Sequence, residues 1–230
     1  MISSNYEKIK ADLLAFGKKN SACVGQYQRL YKAESIGEVI AVVKDNFWWC
    51  AQHRDFVDVI MAGREQFAEH QIWVNQDVEI GEGVGYLIAT EGEINAASWD
   101  NSTIHAKSWN TSTINATSFN SSTINAESWD TSTINAESCN TSTIHADSYD
   151  SSTIHAKSWA ASTIYAKSCG ISTFLAESWG ASTMIIQTPP VECKVHDQSI
   201  ARYVYANRIV VADDSFKVEK VNNTQREERI

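Results

Sequence analysis

The sequence predicts an α+β fold: a small helical N-terminal domain, a β-solenoid of ten-residue repeats with two repeats per coil, and a short C-terminal β cap. Three observations carry this. From Glu93 to about Ile186 one ten-residue unit is written nine times, and self-similarity at a short fixed period marks a solenoid, whose units are too small to hold a core alone and must stack. Within a unit, small or apolar residues alternate with polar ones, as in Ser122, Ile124, Ala126 and Ser128 against Thr123, Asn125, Glu127 and Trp129, the period of a strand with one buried face. Before the repeats the apolar residues recur instead at steps of three and four, the period of helices. The domains are therefore a helical domain at 1–71, strands leading into and covering the solenoid at 72–92, the solenoid at 93–188, a β cap or interface at 189–221 and a loose tail at 222–230.

The helical domain reads as four helices. Ser4 and Glu7 make a capping box ahead of Ile9, Leu13 and Phe16, and the first helix ends near Gly17 to Asn20. Gln26 to Lys32 is a second, short helix. Ser35 and Glu38 repeat the capping signal before Val39, Ile40, Val42 and Val43, and this third helix closes near Cys50; the fourth runs from about Asp55 to Glu69 through Phe56, Ile60, Gly63 and Phe67. The cluster Phe47-Trp48-Trp49 is mainly core, and Cys50 with His53 is a structural pair with nothing in the sequence to orient it as a dyad. From Ile72 the period becomes two. Val78 and Tyr86-Leu87-Ile88-Ala89 flank the run Gly81-x-Gly83-x-Gly85, which lacks the Lys-Ser/Thr and following helix of a phosphate loop and reads as a turn. After Pro189-Pro190, strands follow at Glu192 to His196, Ala201 to Val211 and Phe216 to Val221, with Asp213-Asp214 as a turn.

The charged position of the unit sets the coil length. With ten residues per coil, Glu127, Glu137 and Asp147 would stack at the strand spacing of ~4.8 Å, and like charges directly opposite destabilise a sheet. With twenty, one side reads Thr117, Glu137, Lys157, Glu177 and the other Lys107, Glu127, Asp147, Lys167, and most neighbours attract. The pairs Asp130-Thr131 and Asn140-Thr141 supply the corners, because Asx side chains bond their own backbone in turns.

Through Thr123-Ile124-Asn125-Ala126 and Trp129, most of the chain resembles bacterial proteins with Ala-Thr-Val-x-Ala-Trp-type β-solenoid repeats, which also begin with a helical segment and end in a short β cap. The unit here is two residues longer, and the resemblance implies architecture without an activity. More distantly the chain is similar to pentapeptide-repeat solenoids. It departs from their rule because Lys107, Glu127, Glu137, Asp147 and Lys157 stand where a small inward residue is needed. Through Ser-Thr-x-x-Ala the unit also resembles the repeats of ice-nucleation proteins.

A net charge of −9 argues against affinity for nucleic acid built on phosphate neutralisation. The first helix carries Glu7, Lys8, Lys10 and Asp12 where a signal peptide would be apolar, no apolar run is long enough to span a bilayer, and five scattered cysteines (Cys23, Cys50, Cys139, Cys169, Cys193) read as free thiols. These features point to a soluble cytoplasmic protein, bacterial or phage in type. No catalytic residue, metal site or cofactor is expected: the carboxylates alternate with lysine, and His105, His145 and His155 read as solvated ladder residues, the first two about 9.6 Å apart at two strand spacings.

The function expected is a non-enzymatic binding or assembly module that presents a rigid solenoid surface to a protein partner. Its candidate binding residues are the aromatics Trp99, Trp109, Phe119, Trp129, Tyr149, Trp159 and Trp179, which share one unit position and alternate with an inward Ser. The alternative is a duplex-mimicking inhibitor of a DNA-processing enzyme, favoured by the acidic rod and weakened by faces richer in Ser, Thr and Asn than in Asp and Glu. A minor one is ice binding through the Thr103 to Thr183 ladder. Toward the end of the repeats, Tyr165, Leu175 and Ile185, with Ile171, Phe174 and Met184 nearby, form a candidate interface, to be covered by the strands after Pro190 or by a second copy of the chain.

Overall fold

The computed structural model describes residues 3–169, 173–187, 191–195, 200–204, 208–211 and 217–220; of 3–5, 174, 191–195, 203, 208–211 and 217–220 it describes the backbone alone. The cap at Ser4, Ile171, Pro189-Pro190, the Asp213-Asp214 turn and the tail at 222–230 lie outside the described residues or side chains. The chain divides into two compact units, Met1–Val74 and Asn75–Ile230.

The first unit holds α1 (Ser3–Lys19), α2 (Val24–Lys32), α3 (Ile36–Asp45), α4 (Phe47–Cys50), α5 (Asp55–Ala62), α6 (Arg64–Glu69) and the strand β1 (Ile72–Val74). Six helices replace the four read from periodicity, for local reasons. Asn46 ends α3 because its side-chain amide donates to the Val42 carbonyl (2.7 Å), competing with the helical ladder. Gly63 splits the last helix in two, and it is glycine because a Cβ there would lie 2.8 Å from Ile9 Cδ1. The α3 cap forms as expected on one side, with Ser35 Oγ accepting from Glu38 N (3.2 Å), while the Glu38 carboxylate reaches one residue further back, to Glu34 N (2.7 Å). Ile9, Leu13, Phe16, Val39, Phe47, Phe56 and Phe67 form the buried core.

The second unit is the solenoid. Sheet A runs through β3 (Val84–Ala89), β5 (Thr103–Ser108), β7 (Thr123–Ser128), β9 (Thr143–Ser148), β11 (Thr163–Ser168), β13 (Thr183–Ile186), β15 (Ile200–Tyr203) and β16 (Arg208–Val211). Sheet B runs through β2 (Val78–Ile80), β4 (Glu93–Ser98), β6 (Thr113–Ser118), β8 (Thr133–Ser138), β10 (Thr153–Ser158), β12 (Thr173–Ser178), β14 (Val191–Val195) and β17 (Lys217–Lys220). Neighbours from β2 to β15 are parallel, and Thr103 pairs Thr123, which pairs Thr143, so each coil is twenty residues with one strand in each sheet. The coil length inferred from the charges is the one observed.

Inside the coils the Ile, Ala and two Ser columns are buried, with Ile104, Ile114, Ile124, Ile134, Ile144, Ile154 and Ile164 all at 0% exposure. Met184 belongs to this column and is likewise buried, so it adds nothing to an apolar surface. At the far end β14 and β15 continue the two sheets, and β17 and β16 pair onto them antiparallel, so the strands after Pro190 stack on the last repeats. The expected strand from Ala201 to Val211 is two strands, β15 and β16.

The two corners of the earlier coils differ, although the units look alike. After the sheet B strands β4, β6 and β8 two consecutive residues take positive φ, at Asp100-Asn101, Asn120-Ser121 and Asn140-Thr141; after β10 and β12 of the same sheet only Ala160 and Gly180 do, and after the sheet A strands β5, β7 and β9 only Asn110, Asp130 and Asp150 do. Asn and Asp suit these sites because a short polar side chain tolerates the left-handed region. Gly180 (φ 68) occupies such a corner where a Cβ would come 3.2 Å from the Ala160 backbone. Serine bonding follows the sheet. After sheet A, Ser108, Ser128 and Ser148 pair with the hydroxyls of Ser112, Ser132 and Ser152 at 2.8–2.9 Å. After sheet B, the buried hydroxyls of Ser98, Ser118, Ser138, Ser158 and Ser178 have no hydrogen-bond partner among the described residues.

Candidate functional site: two outward aromatic columns

The residue after each strand-closing Ser turns outward at the corner, and the twenty-residue coil sorts these residues into two columns. Trp109, Trp129 and Tyr149 follow sheet A strands and are continued by Cys169; Trp99, Phe119, Cys139, Trp159 and Trp179 follow sheet B strands. In both columns the preceding Ser is buried and the ring is at least partly exposed.

Along sheet A the rings stack without interruption, Trp109 on Trp129 at 5.8 Å and Trp129 on Tyr149 at 4.3 Å. Along sheet B they form two separate pairs, Trp99 on Phe119 at 4.4 Å and Trp159 on Trp179 at 5.2 Å, with Cys139 between them. Such offset stacks add about 0.5–1.5 kcal/mol per pair beyond the area they bury.

The column two residues earlier lies beside the rings, and it is where the sequence reading is least complete. Lys107 is completely buried, next to Ile88 in register, which is also at 0% exposure. Its ammonium donates to Glu127 Oε2 (2.8 Å) and sits 5.0 Å from the Trp109 ring centroid and 4.6 Å from that of Trp129. The Trp129 indole donates to the same Glu127 oxygen (3.1 Å). Burial pushes the Lys107 pKa down, opposed by the hydrogen bond and charge of Glu127. The alternation of the strand correctly directs Lys107 outward; its burial comes from the rings and Ile88 on neighbouring coils, which strand periodicity does not report.

Charges in this column attract with one exception. Glu127 pairs in register with Asp147. Burial raises the Asp147 pKa, and Glu127 adds to the rise; the Tyr149 hydroxyl, which donates to Asp147 Oδ2 (3.2 Å), and Lys167 oppose it. On sheet B the equivalent pair, Lys157 and Glu137, is looser at 3.7 Å, with both side chains more than 40% exposed.

The histidines are not uniformly solvated. His105 is half-buried and stacks on Tyr86 at 5.0 Å, and burial lowers its pKa; His145 is exposed and stacks on Tyr165 at 4.5 Å. His155 stands in the sheet B column after the amide ladder of Asn95, Asn115 and Asn135, whose side chains donate one to the next (Asn115 to Asn95, 3.1 Å; Asn135 to Asn115, 2.8 Å). Tyr165 and Ile185 are adjacent in sheet A, followed by Arg202, while Leu175 lies in sheet B between His155 and Glu192. The three candidate interface residues therefore divide between two faces.

In the helical unit an apolar cavity of about 250 Å³ is lined by Leu13, Phe16, Tyr27, Leu30, Val43 and Trp49, among others. Cys50 borders it, and burial pushes its thiol up to about 12, while the His53 ring packs against Trp49 and Phe16. A thiol held in its neutral form is a poor nucleophile. Cys23, Cys50, Cys139 and Cys169 are free thiols, and the Cys193 side chain lies outside those described. Among the described residues no group of three or more His, Cys, Asp or Glu is placed to hold a metal, and no helix is long and apolar enough to cross a membrane. No family model matches the chain, and neither a curated protein nor a solved structure matches it.

Proposed function

We propose that the chain is a non-enzymatic, cytoplasmic binding module whose rigid solenoid faces dock a protein partner, with the outward aromatic columns as anchors. The observation that carries this reading is that the rings stack on one another outside the coils, while the interior is filled by Ile, Ala and Ser. Large rings on a polar, pre-ordered surface contribute contact area at little entropic cost, which is why aromatics dominate binding hot spots.

Affinity capture from a native lysate tests it, with the wild-type chain as bait against the double variants Trp99→Ser/Phe119→Ser and Trp159→Ser/Trp179→Ser. Loss of the captured partner by a variant that keeps its melting temperature supports the reading; identical capture by both variants overturns it. Trp109 and Trp129 are a less clean pair, because Lys107 leans on both rings. A homodimer through the C-terminal end, by way of Tyr165 and Ile185 on the sheet A face or Leu175 on the sheet B face, is a second element of the proposal. Light scattering that finds a strict monomer across a dilution series removes it.

A further inference from the structure

The first coils of sheet B repeat the Lys107 arrangement without its cation. In sheet A, a carboxylate (Glu127), two rings (Trp109 and Trp129) and an ammonium between them (Lys107) complete one another. In sheet B the register places Glu79 beside Ala97 and Ile80 beside Ser98, and Trp99 N donates to the Ile80 carbonyl (3.0 Å). The column that holds Glu127 and Lys107 in sheet A thus reads Glu79, Ala97, Thr117 here, beside the stacked rings of Trp99 and Phe119. Carboxylate and rings are present, and alanine and threonine stand where a basic side chain would lie.

Trp99 is the terminal ring of its stack. One face lies on Phe119; on the other side the next coil presents Gly81, where even a Cβ would meet nothing within 4 Å. Trp99 is accordingly 38% exposed and is the sole large exposed hydrophobic in the two aromatic columns among the described residues. Beside it is a shallow depression of about 440 Å³ lined by Asp77, Glu79, Asn95, Ala97, Asn115 and Thr117. Asp77 and Glu79 are exposed and make no ion pair among the described residues; Asp77 accepts from the backbone N of Asn95 (2.7 Å) and from its side-chain amide (3.4 Å).

We propose that this depression and the open face of Trp99 receive an arginine side chain of the partner protein, its guanidinium flat against the indole and its N–H groups directed to Glu79, with the charge of Asp77 beyond it. Arginine fits better than lysine because its planar fork stacks on a ring and engages a carboxylate at the same time, and its aliphatic stem suits the floor of Ala97 and Thr117. Neighbouring outward residues on a strand are roughly 6.6 Å apart, so one side chain spans the ring and Glu79, which stands one outward step before it; Asp77 is a step further and adds only its charge. The charge of −9 favours a basic partner as well.

The inference rests on the reading of the aromatic columns as anchors. It is tested on the full chain by following indole N–H resonances, with that of Trp99 assigned through Trp99→Ala. The probes are the peptide acetyl-Gly-Arg-Gly-amide and its neutral isostere with citrulline in place of arginine. The arginine peptide is expected to shift the Trp99 signal saturably, with Glu79→Gln weakening it roughly fivefold and citrulline binding weaker by a similar factor. Ala97→Lys supplies the missing cation from within and is expected to abolish peptide binding without loss of melting temperature. Equal binding of the citrulline peptide, indifference to Glu79→Gln, or a response to a neutral oligosaccharide and none to arginine would each overturn the proposal. If capture of the partner still depends on Trp99 while the arginine peptide gives no shift, the arginine assignment fails alone; if capture ignores every aromatic, the anchor reading fails with it.

Discussion

The two aromatic columns are written with one sequence pattern and are energetically unlike. Along sheet A the rings close over charges supplied by the chain itself, so Lys107 is dry, bonded to Glu127 and flanked by two indoles. Along sheet B the stack is cut at Cys139, the Lys157–Glu137 pair is wet, and the first coils keep a bare ring beside unpaired carboxylates. A repeat protein can thus close one face over its own charges and leave another open, through substitutions at a single column.

The sharpest way to break this comparison is to remove equivalent carboxylates. Glu127→Ala strands a buried ammonium, and unpairing a buried charge costs about 3–5 kcal/mol. Glu137→Ala removes a pair exposed on both sides, where the change should stay within about 0–1 kcal/mol. Urea unfolding of the two variants should differ accordingly, and equal losses would show that Lys107 is not the charge the fold must pair.

A smaller effect would bring sheet B closer to sheet A. Cys139→Phe places a ring between Phe119 and Trp159 and joins the two pairs into one stack, which should stabilise the solenoid by about 0.5–1.5 kcal/mol per new ring contact and raise the melting temperature. A lowered melting temperature would mean that the corner at 139 cannot hold a ring in register.

The smallest effect concerns pH. The folded pKa of Asp147 lies above the ordinary value of 3.8, first because of burial and then because of Glu127, so the folded chain holds this proton more tightly than the unfolded chain. The stability linked to it is fully present below pH 3.8 and is lost as the pH rises through the folded value. Asp147→Asn should therefore be more stable than the wild type at neutral pH, with the difference shrinking toward acid. A difference independent of pH would contradict the assignment.

What could be read in advance follows from which physics each feature obeys. The coil length was legible because it depends on register, and like charges on neighbouring strands exclude one of two choices; Glu127 facing Asp147 is the exception that the rule tolerates. The inward columns were legible because they obey a period of two. The burial of Lys107 was not, since it is set by Trp109, Trp129 and Ile88, residues that are neighbours only after coiling. Gly81 was visible as a turn residue, yet its consequence, an uncovered face on Trp99, requires knowing that it falls in the aromatic column. In the helical unit, the breaks at Asn46 and Gly63 arise from a side-chain hydrogen bond and a contact with Ile9, both invisible to apolar spacing.

The unequal corners give the rod a parity. Corners with two left-handed residues follow sheet B strands alone, at Asp100-Asn101, Asn120-Ser121 and Asn140-Thr141, whereas the later sheet B corners at Ala160 and Gly180 have one, as the sheet A corners at Asn110, Asp130 and Asp150 do. A length change of twenty residues inserts or removes one full coil and leaves every downstream residue on its own face. A change of ten inverts the phase: each later strand moves to the opposite sheet, the corners up to Asn140-Thr141 inherit the other's turn, and Cys139 and Trp159 exchange columns with Trp129 and Tyr149. A solenoid of this kind can lengthen or shorten by whole coils while keeping its faces distinct, and half-steps scramble them.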